Sequence, residues 1–321
     1  MAVAEIHETM SVAAIAEALP APAGGRAQLG RAATEAGWRD YVTLTKPRIM
    51  SLLVLTAVCA MVAAAGGAPA PLPLAALVLG GALACGGASA LNHVLDRDID
   101  RLMGPRTASR PVAAGRISPA RAVAFGLCLS ALAFLVLAAF ANLLAAVLAI
   151  SGGAFYVLVY TLWLKRTTPH NIVIGGAAGA FPPLAGWAAA HGRLGLGAGF
   201  LFVIVLLWTP PHFWALALLL APGYRAAGVP MLPVVRGERV TAQQVLLYTI
   251  ALVTFTLLPA LTGTFGAFYL ATALVLDGVL CALAWRLRRE RAPRHAGALF
   301  HYTLLYLALL FVAVAIDAAI R

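Results

Sequence analysis

Nine stretches of this chain are apolar for the length of a bilayer crossing, and that pattern most narrows what it can fold into. A helix needs about 20 predominantly apolar residues to span roughly 30 Å of hydrocarbon. Such stretches run over residues 49–65, 72–92, 120–140, 143–163, 171–190, 197–220, 245–261, 265–285 and 299–320. Several connections are too short for anything but a tight hairpin, notably 66–71, 141–142 and 262–264, so the flanking helices are antiparallel neighbours. The composition agrees: 62% of the 321 residues are hydrophobic and 11% charged, against roughly 25% charged in a soluble domain. That excludes a disordered chain, and 4 cysteines, all inside apolar stretches, exclude a disulfide scaffold. The predicted fold class is all-α, a polytopic membrane protein of nine transmembrane helices around a central cavity.

The remaining charge sets the orientation. Of 23 Lys and Arg, all but Arg193 and Arg321 fall in the N-terminal segment or in alternate loops, on one side of the predicted membrane. Cytoplasmic loops carry the excess of basic residues, so the N-terminus is predicted to be cytoplasmic and the C-terminus to lie opposite. Residues 1–40 read as a flexible cytoplasmic tail, without the apolar core and cleavage site of a secretory signal. Residues 41–321 form the membrane domain. The Arg-rich run 285–291 reads as an anchor at anionic lipid headgroups rather than a nucleic-acid patch.

Proline and glycine point to the cavity. Gly175, Gly176, Gly179, Pro182, Pro183 and Gly186 are expected to interrupt the fifth span, and Pro210 and Pro211 the sixth. Broken helices at membrane depth line a pocket, because their freed backbone groups need partners. Glycine alone is equally explained by close helix packing.

Chemistry concentrates after the second span. Three of only 12 acidic residues fall within five positions, Asp96, Asp98 and Asp100. On a helix Asn92, Asp96 and Asp100 share one face, spaced i, i+4, i+8, while Asp98 points away. Two carboxylates and an amide oxygen form a hard-oxygen stripe suited to Mg²⁺, which keeps its other positions for water and substrate phosphate. Downstream, Arg106 and Arg110 supply the planar forks that suit phosphate oxygens. Together they predict chemistry on a diphosphate. The competing reading is of snorkelling helix-end charges, with Asp98 and the arginines simply paired; intramembrane ionisable groups favour the functional one.

The spacing Asn92-x3-Asp96-x-Asp98-x-Asp100, followed by Arg-Thr-x-x-Arg-Pro at 106–111, resembles the first Asp-rich motif of the UbiA-type intramembrane prenyltransferases. The segments 44–48, 165–176, 178–183, 208–217 and 227–235 resemble their haem-farnesylating branch. The resemblance implies transfer of a farnesyl group from farnesyl diphosphate to a vinyl group of haem b, forming haem O, in a bacterial inner membrane. It implies Mg²⁺ on Asn92, Asp96 and Asp100, with Asp96 and Asp100 catalytic. It further implies diphosphate binding by Lys46, Arg48, Arg106, Arg110, Lys165 and Arg166, and contact with haem A synthase or the assembling oxidase. Tyr156, Tyr160, Phe213 and Trp214 are the candidate walls around a prenyl cation. His212, between Trp208 and Trp214, is the candidate haem residue with Trp214; it has three readings, as axial ligand, proton acceptor or hydrogen-bonded packing residue. One departure stands out. The branch has Asp-Tyr before its Ala-Gly-x-Pro-Met-Leu-Pro block, whereas this chain has Gly223-Tyr224 and no acid between Asp100 and Glu238. The alternatives are therefore a UbiA-type enzyme with an aromatic acceptor, an impaired haem-binding protein, and a transporter.

Overall fold

Inside hydrocarbon no water is present to bond the backbone, so each apolar stretch must close its own hydrogen-bond ladder. A computed structural model describes residues 36–321 and shows, among those residues, nine apolar helices long enough to span and no strand. In chain order the elements are α1 (Trp38–Thr45), α2 (Pro47–Ala65), α3 (Pro71–Leu95), α4 (Arg97–Met103) and α5 (Pro105–Ala108). They continue with α6 (Pro119–Phe140), α7 (Leu143–Thr167), α8 (Asn171–His191), α9 (Leu196–Leu219), α10 (Ala221–Ala226) and α11 (Leu232–Val235). The last are α12 (Gly237–Leu261), α13 (Ala267–Glu290) and α14 (Pro293–Ile320). The expected tail and the reading that it is not a signal concern residues that lie almost wholly outside those described.

Sequential spans are neighbours. α3 packs on α6, α6 on α7, and so on through α8, α9, α12, α13 and α14; α14 then meets α2, and α2 meets α3, closing a ring. Across it α2 and α8 approach so closely that a Cβ on Gly186 would collide with the Ala57 carbonyl. Small side chains allow such backbone contact, and dispersion rather than water exclusion holds these helices together.

Three expectations change. α9 is not broken: it runs through Pro210 and Pro211 without interruption, and the Thr209 hydroxyl donates to the Val205 carbonyl at 2.8 Å. α8 does have a break, a single turn residue at Gly176, yet it continues through Pro182 and Pro183. The larger departure lies in α7, where Phe155–Leu164 is π-helix. Its wider turn re-aims the side chains it carries, and such stretches are frequent at functional sites. α12, α13 and α14 also outrun the predicted spans, because their polar and Arg-rich ends stay helical beyond the apolar stretch.

Buried polar groups brace the last three spans. Asp277 accepts from Thr256 (2.7 Å) and from Tyr306 (2.7 Å), so α12, α13 and α14 are tied through one carboxylate. Tyr269 of α13 donates to the Thr256 carbonyl of α12 at 2.8 Å.

Candidate functional site

α3 ends at Leu95 and α4 begins at Arg97, with Asp96 at the joint. The helical register survives the joint, because the Asp96 N–H donates to the Asn92 carbonyl (2.9 Å) and the Asp100 N–H to the Asp96 carbonyl (2.7 Å). Asn92, Asp96 and Asp100 therefore lie on one inward face, each at most 2% exposed. The Asp98 side chain, in contrast, is 59% exposed.

Cations from distant parts of the chain converge on that face. The Lys165 ammonium donates to Asp96 Oδ2 at 2.6 Å, and Arg110 donates to Asp100 Oδ1 at 2.6 Å. Asn92 links the cluster: its amide N–H groups reach Asp96 Oδ2 (2.8 Å) and Thr161 Oγ1 (3.1 Å), while its oxygen accepts from Lys46 at 2.8 Å. Lys46 is held at a left-handed kink (φ 50°) between α1 and α2. Burial, reinforced by the Arg110 charge, pushes its ammonium down to about 7. Burial likewise raises the Asp100 carboxyl above the usual range, with Arg110 opposing it. The buried Tyr224 hydroxyl is raised too, by burial first and then by the Asp96 charge.

One oxygen on each carboxylate, Asp96 Oδ1 and Asp100 Oδ2, is buried without any hydrogen-bond partner. An orphan carboxylate oxygen in low dielectric is costly, and two on one face fit a hard divalent cation. No group of three His, Cys, Asp or Glu side chains suited to a metal exists among the described residues. Protein oxygens alone would leave the ion's shell incomplete, as for an ion finished by phosphate and water. The Asn92 oxygen lies on the same face and accepts one bond, from Lys46, so Asn92 also orients Asp96 and Lys46.

The predicted basic set divides. Lys46, Arg110 and Lys165 reach the cluster. Arg166 does not: both its terminal nitrogens grip Asp98 at 2.8 Å and one reaches the Leu95 carbonyl at 2.6 Å, so it clamps the α3–α4 joint to the end of α7. The Asp98 carboxyl is held low chiefly by that Arg166 bond. Arg48 and Arg106 are exposed and form no ion pair with the described residues. Asn171, the first residue of α8, is fully buried with both amide atoms unpartnered. Thr161, which accepts from Asn92, was missed, since nothing near it in sequence marks a role. The Thr161-x3-Lys165 spacing is the only local trace, and it lies mostly on the π stretch.

His212 sits in a three-ring stack, 4.3 Å from Trp208 and 4.9 Å from Phe300. Its Nδ1 lies 2.8 Å from Thr303 Oγ1. In the His212 tautomer that donates Nδ1–H to Thr303, that hydroxyl gives its own proton to the Phe300 carbonyl at 2.7 Å. In a neutral ring that arrangement leaves the Nε2 lone pair free. Trp214 is not brought to His212. Two residues along a helix is about 200° of rotation, and Trp214 is buried edge-on against Tyr248 of α12.

Residues 53–315, which carry the acid pair, match a known family model, the UbiA prenyltransferase family. The chain belongs to that family. It is 52% identical over 297 residues to a protoheme IX farnesyltransferase of Thermus thermophilus, covering 92% of this chain but spanning about half (48%) of that relative's length. It is 54% identical over 282 residues to one of Symbiobacterium thermophilum, covering 87% of this chain and 94% of that relative. Among solved structures, a digeranylgeranylglyceryl phosphate synthase superposes with TM-score 0.73 at 19% identity, covering 88% of this chain and 99% of that one. A UbiA homologue from Archaeoglobus fulgidus, bound to GPP and Mg²⁺, does so with TM-score 0.61 at 16% identity, covering 86% and 99%. These likenesses establish the family and the fold of a multi-pass membrane protein, and they replace the transporter reading.

Proposed function

We propose that the chain transfers the farnesyl group of farnesyl diphosphate to a vinyl group of haem b, forming haem O. The observation that carries it is the pair of orphan oxygens, Asp96 Oδ1 and Asp100 Oδ2, buried beside Lys46, Arg110 and Lys165. That is a site for a metal-bound diphosphate. Relatives at 52% and 54% identity bear the name of this activity, and a structural neighbour holds GPP and Mg²⁺.

Asp96 and Asp100 would hold Mg²⁺ through those oxygens. When bound, the ion supplies positive charge to the diphosphate as the carbon–oxygen bond breaks. The chain's own residues do the rest. Lys46, Lys165 and Arg110 take phosphate oxygens, in a low-dielectric setting where preorganised charge counts most. The bond pair leaves with the diphosphate, the allylic carbon accepts the vinyl π pair, and water then adds to the substituted vinyl carbon with loss of a proton. Tyr156 and Tyr160, stacked at 5.7 Å, offer ring faces to the cation. His212 Nε2 is the acceptor-side nitrogen, as haem ligand or proton acceptor. Arg166 positions α4, while Arg48 and Arg106 could reach the substrate only from the exposed rim. A bacterial inner-membrane location with a cytoplasmic N-terminus, and handover of haem O to haem A synthase or the assembling oxidase, belong to the same reading.

The test is acceptor choice. Purified chain with farnesyl diphosphate and Mg²⁺ is offered haem b or 4-hydroxybenzoate, and the products are weighed by mass spectrometry. Farnesylated, hydrated haem is expected; prenylation of the aromatic acid alone would establish the aromatic-acceptor alternative. A second reading, an impaired haem-binding protein, is favoured by Gly223. Binding of haem b without any mass gain would establish that one.

A further inference from the structure

At the cytoplasmic ends of α12 and α13, remote in sequence from the acid cluster, lies a cavity of about 300 Å³ lined by Arg239, Gln243, Arg288 and Arg291. Arg239 stands in the first turn of α12 and Gln243 one turn further along the same face. Arg288 closes the last turn of α13, and Arg291 caps that helix in a left-handed conformation (φ 51°). Three arginines thus line one small space. None forms an ion pair with the described residues, and no carboxylate lines the cavity. Of the two acids adjacent in sequence to these arginines, Glu290 is already taken by Arg294 (3.2 Å) and His295 (2.6 Å), and Glu238 is exposed and does not line the cavity. Charges of one sign this close repel, so the arrangement invites an anion.

We infer that this cavity is a binding site for the phosphate diester of an anionic phospholipid. The membrane side of the cavity selects a lipid over a free anion. Leu247, one turn below Gln243, is 56% exposed, and Trp285, one turn below Arg288, is 48% exposed with the Arg288 guanidinium 5.4 Å over its ring. Tryptophan at this depth marks the headgroup level, and exposed apolar side chains beneath it suit acyl tails. The guanidinium forks and the Gln243 amide give phosphate oxygens their donors. A zwitterionic headgroup would bring its ammonium into a pocket without a carboxylate, so anionic lipid is preferred. This goes further than a general basic anchor: it defines one lipid place, shared by two helices.

The full chain, purified in mild detergent and exposed to equimolar phosphatidylglycerol and phosphatidylcholine, is analysed by native mass spectrometry. One tightly retained phosphatidylglycerol per chain is expected, unmoved by excess inorganic phosphate. R239Q/R288Q/R291Q should weaken retention on the order of 100-fold, at about fivefold per arginine. R239K/R288K/R291K, which keeps the charge and loses the forks, should fall in between, and guards against a fold defect in the glutamine variant. Equal retention of both lipids, retention unchanged in the glutamine variant, or displacement of the lipid by phosphate would each overturn the inference.

Discussion

At the scale of single residues, the site works through which atoms are already committed. Asp96 Oδ2 is taken by Lys165 and Asn92, Asp100 Oδ1 by Arg110, and the partner oxygen of each stays free. Lys165→Met would leave Asp96 charged, buried and short of its cation. A loss of about 3–5 kcal/mol is expected, since breaking a buried pair costs more than the pair contributes, and thermal unfolding in detergent would show it. Thr303 acts on His212 in the same way, by accepting from Nδ1. Thr303→Val should disturb the absorption spectrum of the haem complex while Thr303→Ser preserves it; an unchanged spectrum in the valine variant would remove Thr303 from this role. Part of this was legible. The i, i+4, i+8 spacing sufficed to put Asn92, Asp96 and Asp100 on one face. It could not show that Lys46, 46 positions away from Asn92, would occupy the Asn92 oxygen, nor that Arg166 would spend its fork on Asp98. Those choices depend on where distant helices meet.

At the scale of elements, the substitution at Gly223 has a geometric reason. α10 lies against α4, and a Cβ on Gly223 would come within 2.6 Å of the Met103 carbonyl. The aspartate usual in this branch therefore does not fit this packing. Gly223→Asp should destabilise by about 1–3 kcal/mol, as overpacking does, with no gain in prenyl transfer rate. A faster enzyme with an unchanged melting temperature would show that a second acidic arm was missing after all. The π stretch of α7 had no signature in the sequence, because apolar periodicity reads the same through it. Prolines misled as well: α9 stays helical through Pro210 and Pro211.

At the scale of the whole molecule, nine spans were readable because hydrocarbon imposes length and apolarity on every crossing. The ring closed by α2 and α14 brings the N-terminal kink at Lys46, the α3–α4 joint and the end of α7 to one place, and the acid cluster is their meeting point. The most direct measurement is the mass of haem recovered from parallel reactions of the wild type and Asp96→Asn with haem b, farnesyl diphosphate and Mg²⁺. The wild type should yield haem heavier by a farnesyl group and a hydroxyl, with none formed when a chelator removes the metal. In Asp96→Asn the rate should fall on the order of 10²–10³-fold, as when one preorganised charge-stabilising group is removed. Haem of unchanged mass from the wild type, or equal rates in the two proteins, would contradict this account.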